Sequence, residues 1–224
     1  SGNDVLFSVT HFTTFTGNTQ PNASNILLNS TTGRNLTTEN LTVFSSVSDP
    51  DGDSTTTNYD WRLNGTSIAV LNLPMTAPYN NGSRNLTFDM SGFNNIAILG
   101  NTTEGTAPTF NTNGIYGGAY TFDGLNDLIN VTSSSSLNVS GNLSVELWIN
   151  FNSLPDASVG FASLIAKRNG TNDGLQYLIT YANSTENLQF YTRAVVGGLV
   201  ATPNNVKFQK NRWYHVVGTE NSVN

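Results

Sequence analysis

Asp49, Asp51 and Asp53 stand at alternate positions around Gly52, a spacing that lets three carboxylates converge on one hard cation such as Ca2+. Asp, Pro and Gly are also the preferred residues of tight turns, and the run lacks the spacing and closing Glu of an EF-hand loop. A second chemistry is written in Asn-x-Ser/Thr triplets, which accept bulky, solubilising N-linked glycans on exported chains. Thirteen occur, at Asn22, Asn29, Asn35, Asn40, Asn64, Asn81, Asn85, Asn101, Asn130, Asn138, Asn142, Asn169 and Asn183. With 33 Asn and 51 Ser plus Thr among 224 residues, composition alone gives about 7 or 8. The excess points to an extracellular or cell-surface glycoprotein.

Catalytic patterns do not appear. Glycoside hydrolysis needs two carboxylates facing across a cleft, about 5 to 10 Å apart. On strands that arrangement shows as acidic residues at every second position, and Glu146 has no acidic neighbour two or four residues away. His11 and His215 are the two histidines, each among aromatic strand residues where packing is the ordinary role. No nucleophile elbow, phosphate loop or H-E-x-x-H pair is present. A non-catalytic protein is expected.

Charged residues make up 11% of the chain, against about a quarter in ordinary globular proteins. A net charge of -6 with nine Lys plus Arg leaves no basic stripe for phosphates, which argues against nucleic acid and anionic membranes as partners. The absence of Cys excludes a disulfide framework, a thiolate metal site and a Cys nucleophile. An exported, Cys-free, sequon-rich chain fits a prokaryotic source, archaeal more than bacterial. No run approaches 18 apolar residues and no basic-then-apolar leader opens the sequence, so a mature or excerpted soluble segment without direct membrane insertion is expected.

The elements that must position these residues read as strands. Short apolar runs recur about every 8 to 14 residues, separated by turn chemistry that includes Asn-Gly pairs at 64, 81, 113 and 169. Between Leu143 and Phe151, alternation puts Leu143, Val145, Leu147, Ile149 and Phe151 on one face. Glu146, Trp148 and Asn150 take the other face, which must be partly covered. A strand of that kind fits one layer of a two-sheet sandwich.

Two stretches resemble known families. Ser48-Asp49-Pro50-Asp51-Gly52-Asp53, followed by Tyr59-Asp60-Trp61-Arg62-Leu63-Asn64-Gly65, resembles Ig-like or PKD-like repeats of microbial surface proteins. That resemblance implies that Trp61 is the buried aromatic of a sandwich core. Gly117-Gly118-Ala119-Tyr120-Thr121-Phe122-Asp123-Gly124, then Ser144 to Ile149, then Leu164 to Lys167, then Trp213-Tyr214-His215-Val216, resembles the laminin-G-like, concanavalin A-like jelly-roll family. Val70 to Met75 is similar to its first strand, and Asp89-Met90-Ser91-Gly92 to the turn that follows. The resemblance spans residues 68 to 219, and family members continue past W-x-H-V with a further hairpin and strand.

The fold implied is all-β: an Ig-like β-sandwich followed by a concanavalin A-like jelly-roll β-sandwich. The domains implied are 1–16, a strand of an upstream domain or an exchanged strand; 17–67, an incomplete Ig-like or PKD-like domain; and 68–224, a laminin-G-like domain short of its C-terminal strands. The function implied is adhesion or recognition of carbohydrate or another ligand, with calcium ordering the loops and glycans or other surface proteins as partners. Tyr116, Tyr177, Tyr181 and Tyr191 are the exposed aromatics expected to stack on sugar rings. The alternative is a structural subunit of an extracellular filament, pilus or S-layer, a homopolymer assembled by β-strand exchange.

Overall fold

The computed structural model describes residues 19–34, 36–53, 55, 57–155, 160–168, 174–192, 199–201 and 206–221. The expected strand within 1–16, the sequons at Asn35 and Asn169 and the Asn169-Gly170 pair lie outside the described residues. The chain divides into two compact units, Ser1–Tyr59 and Asp60–Asn224. Apart from one 3-10 turn at Ser135–Leu137, the regular structure described is strand, which bears out the all-β class.

In the first unit, β1 (Asn22–Ser30) pairs antiparallel with β2 (Leu41–Ser48), with a bulge between Ser24 and Leu27. The connecting turn is held by the Glu39 carboxylate, which accepts hydrogen bonds from the Leu36 N–H and the Thr32 hydroxyl. Leu27 faces Phe44 across the ribbon, and both side chains are exposed.

The second unit opens on β3 (Arg62–Leu63) and β4 (Thr66–Ser67), joined by Asn64 at φ 51° and Gly65 at φ 82°. Two positive φ angles in succession make the type I′ turn that an Asn-Gly pair favours. Trp61, expected in a sandwich core, precedes this hairpin and is 38% exposed. A ladder two residues long offers no sheet face wide enough to bury an indole.

β5 (Tyr79–Asn80), β6 (Asn85–Thr87), β7 (Ala97–Leu99) and β10 (Ile129–Val131) form a sheet in the order β10-β7-β6-β5. β8 (Thr109–Gly114) and β9 (Gly117–Thr121) form a hairpin. Asp89 ties this region together. Its carboxylate accepts the backbone N–H of Asn72, Ser91 and Asn95, each at 2.9 Å, together with the Ser91 hydroxyl and the Asn95 side-chain amide. Burial pushes its carboxyl pKa up, but the three N–H donors and the Ser91 hydroxyl outweigh burial and hold it below the ordinary value.

A carboxyl lowered on folding adds stability above its unfolded pKa of about 3.9. That stability is lost as pH falls through the folded value. Asp89→Asn is therefore expected to cost about 3 kcal/mol at neutral pH, because charge-assisted hydrogen bonds are lost. It is also expected to flatten the fall in melting temperature on acidification below about pH 4. Thermal unfolding from about pH 2 to 7 checks both, and identical pH profiles for variant and wild type would remove the role.

β11 (Leu143–Asn150) and β16 (Trp213–Glu220) pair in full register, from Leu143 opposite Glu220 to Asn150 opposite Trp213. β12 (Phe161–Arg168), β13 (Leu175–Ala182), β14 (Asn187–Thr192) and β15 (Leu199–Ala201) form a four-stranded antiparallel sheet in that order. Leu143, Val145, Leu147 and Ile149 of β11, with Tyr214 and Val216 of β16, pack on a core of Phe151, Ile179, Tyr181, Leu188, Phe190 and Phe208. The alternation read along β11 thus faces a second layer, and two sheets enclose one apolar interior.

Candidate functional site

Because one face of the β11–β16 ribbon is spent on the core, every second residue is turned outward. The register places Trp148 directly across from His215 and Glu146 across from Val217. The Trp148 and His215 rings stack with centroids 4.8 Å apart and planes 20° from parallel. On the diagonal, His215 Nε2 lies 3.3 Å from Glu146 Oε2. Tyr116 stands at right angles to the indole, 5.9 Å away at 79°.

Tyr116 reaches this place from the two-residue turn that joins β8 to β9. Gly114 is the register partner of Gly117, and Gly117 takes φ 103°. A Cβ on Gly114 would stand 2.1 Å from the Gly118 carbonyl oxygen, so the hairpin closes this tightly because side chains are missing there. The resulting face is amphipathic and open. Tyr116 is 70% exposed, Val217 50% and Trp148 40%.

Its chemistry is that of a binding surface. Aromatic faces carry negative potential and attract the polarised C–H groups of a ring laid over them. Beside them a carboxylate that only accepts and an imidazole that donates or accepts can meet hydroxyl groups. One carboxylate stands in the cluster, where hydrolysis of a glycosidic bond would need two.

The tyrosines expected to be exposed divide. Tyr116 lies in the cluster. Tyr181 is 2% exposed in the core, and Tyr177 is half-buried against the same core. Burial pushes both phenols above their ordinary pKa. Tyr191 is half-buried, and its hydroxyl donates to Gln189 Oε1 at 2.6 Å. The correction for Tyr177 and Tyr181 follows from sheet position, since β13 is covered on both faces and turns these rings toward the core. Tyr191 alternates with the core residues Leu188 and Phe190 and is half-buried on the opposite face, across from Leu178. The sequence reading missed Trp148, His215 and Glu146 as a group. The alternation that put Glu146 and Trp148 outward was the available signal, but nothing local says that His215 lies opposite.

In the Asp49–Asp53 loop, Asp49 Oδ1 accepts the N–H of Asp51 at 2.9 Å and of Asp53 at 3.2 Å. Asp51 Oδ2 accepts the Thr19 N–H at 2.5 Å. Among the described residues no three His, Asp or Glu side chains form a group that could hold a metal ion. Eleven of the sequon asparagines are described; Asn183 is half-buried and the other ten are exposed. A cleft of about 350 Å3 between Asn138, Ser140, Gln176 and Glu220 is lined without aromatic residues.

Residues 122–224 match the family model of the Concanavalin A-like lectin/glucanases superfamily. This segment holds β10 to β16, so the likeness takes in the sandwich and two strands of the candidate face. Domains of this laminin G-like type are usually non-catalytic and suit recognition of carbohydrate or other ligands. No curated protein and no solved structure matches the chain.

Proposed function

We propose that the protein is a non-catalytic recognition module that binds carbohydrate on the outward face of the β11–β16 ribbon. The observation that carries this reading is the exposed cluster of Tyr116, Trp148 and His215 with Glu146 beside it. A monosaccharide has an apolar C–H face and a hydroxyl rim, and this cluster offers a counterpart to each. N-linked glycans on the exposed sequon asparagines, and a place at the cell surface in adhesion, complete the proposal. Such glycans would hydrate a surface that carries few charged residues.

Trp148→Ala tests it. The indole is partly exposed and faces away from the core, so the variant is expected to keep its melting temperature within a few degrees. Binding on an oligosaccharide array is expected to fall at least about thirtyfold, as befits a central aromatic anchor worth 2 kcal/mol or more. An unchanged binding profile would sink this reading.

A further inference from the structure

We infer that the β11–β16 face selects uncharged sugars and disfavours sugars carrying carboxylate or sulfate groups. The inference rests on the reading that this face binds carbohydrate, and it concerns the charge of what is bound.

Glu146 is the ionic group that defines the patch. Its side chain is 69% exposed, so a bound sugar meets it directly. A carboxylate has only acceptor sites, and sugar hydroxyls are donors that satisfy them. A ligand carboxylate or sulfate has nothing to donate there and carries like charge.

Apart from the His215 imidazole paired with Glu146, the cluster of Tyr116, Glu146, Trp148, His215 and Val217 includes no Lys or Arg to offset this charge. Arg212, three residues before His215, has its guanidinium 5.6 Å from the centroid of the Tyr214 ring, which packs with the core. Lys167 donates to the Ser133 hydroxyl at 3.0 Å. Beyond the patch the chain carries a net charge of -6, so the long-range field also repels anions. Two like charges about 4 Å apart in water differ from a neutral pair by about fivefold in affinity. Partial desolvation on binding enlarges that factor, and salt reduces it.

The test compares neutral oligosaccharides with matched uronic-acid and sulfated counterparts, at pH 8, where imidazoles as a class are uncharged, and at low salt. Wild type is expected to bind the neutral member of each pair about fivefold or more tightly. Glu146→Gln is expected to weaken neutral binding, because a charge-assisted acceptor is lost, to bring the neutral-to-acidic ratio close to one, and to keep thermal stability. Equal or tighter binding of the acidic sugars, lost in Trp148→Ala, would overturn the inference and leave carbohydrate binding at this face standing. A preference unchanged in Glu146→Gln would overturn it as well. Binding untouched by Trp148→Ala would instead show that the face itself was wrongly chosen.

Discussion

Tyr181→Ala is expected to destabilise the second unit by about 3 to 5 kcal/mol, the cost of deleting a buried aromatic ring and leaving its cavity. The ring is 2% exposed and meets Phe151 edge-on at 5.6 Å and Phe208 at 6.2 Å. Phe208 in turn packs on Tyr214 at 4.9 Å, so one deletion loosens a chain of rings that joins the β12–β15 sheet to the β11–β16 ribbon. Tyr116→Ala removes the same atoms from a site 70% exposed and is expected to leave stability within about 0.5 kcal/mol while weakening sugar binding. Denaturant unfolding of both variants separates the roles, because a stability change moves the midpoint at constant slope. If Tyr181→Ala unfolds at the wild-type midpoint, the two-layer packing is wrong.

That pair also shows what the sequence could say. Alternation in Leu143 to Phe151 assigns sides correctly, because one strand pointing half its residues at a core leaves a period of two that no other element imitates. Asn64-Gly65 predicts its hairpin for an equally local reason, since few pairs tolerate two positive φ angles.

Where local chemistry ends, so does legibility. Tyr116 and Tyr181 look alike in sequence, and only the two-sided cover on β13 separates them. Trp61 was placed in a core because a family pattern put it there, yet its neighbours form too short a ladder to bury it. The stacking of Trp148 on His215 depends on register between strands more than 60 residues apart in the chain, a property of the whole sheet. Asp49, Asp51 and Asp53 show the converse. Their spacing suits a cation and a turn alike, and in the fold Asp49 and Asp51 accept backbone N–H groups of the same unit, the turn-forming role of Asp.

Gly118→Ala should, like Gly114→Ala, be among the most damaging small substitutions on the site side of the second unit. A Cβ there would lie 2.1 Å from the Met75 carbonyl oxygen and 2.6 Å from a ring carbon of Phe110. The carbonyl belongs to backbone and cannot rotate aside, so β9 must lift away from residues 75 and 76. Lifting strains the hydrogen bond from the Tyr120 hydroxyl to the Thr76 carbonyl, now 2.9 Å long. The expected cost is about 3 kcal/mol or more, the upper part of the range for overpacking.

Gly218→Ala makes a useful contrast. Its Cβ would meet the Phe190 ring at 2.6 to 2.9 Å, and that obstacle is a side chain. Phe190→Leu in the same chain should therefore recover part of the Gly218→Ala loss, whereas Phe110→Leu should not rescue Gly118→Ala. The two sites also differ in reach. β9 is the arm that carries Tyr116 to Trp148, so Gly118→Ala displaces that ring and weakens sugar binding even in protein that remains folded. Melting temperature and array binding measured on the four variants decide the matter. Full rescue of Gly118→Ala by Phe110→Leu would mean that the ring, and not the passing backbone, is what keeps this position glycine.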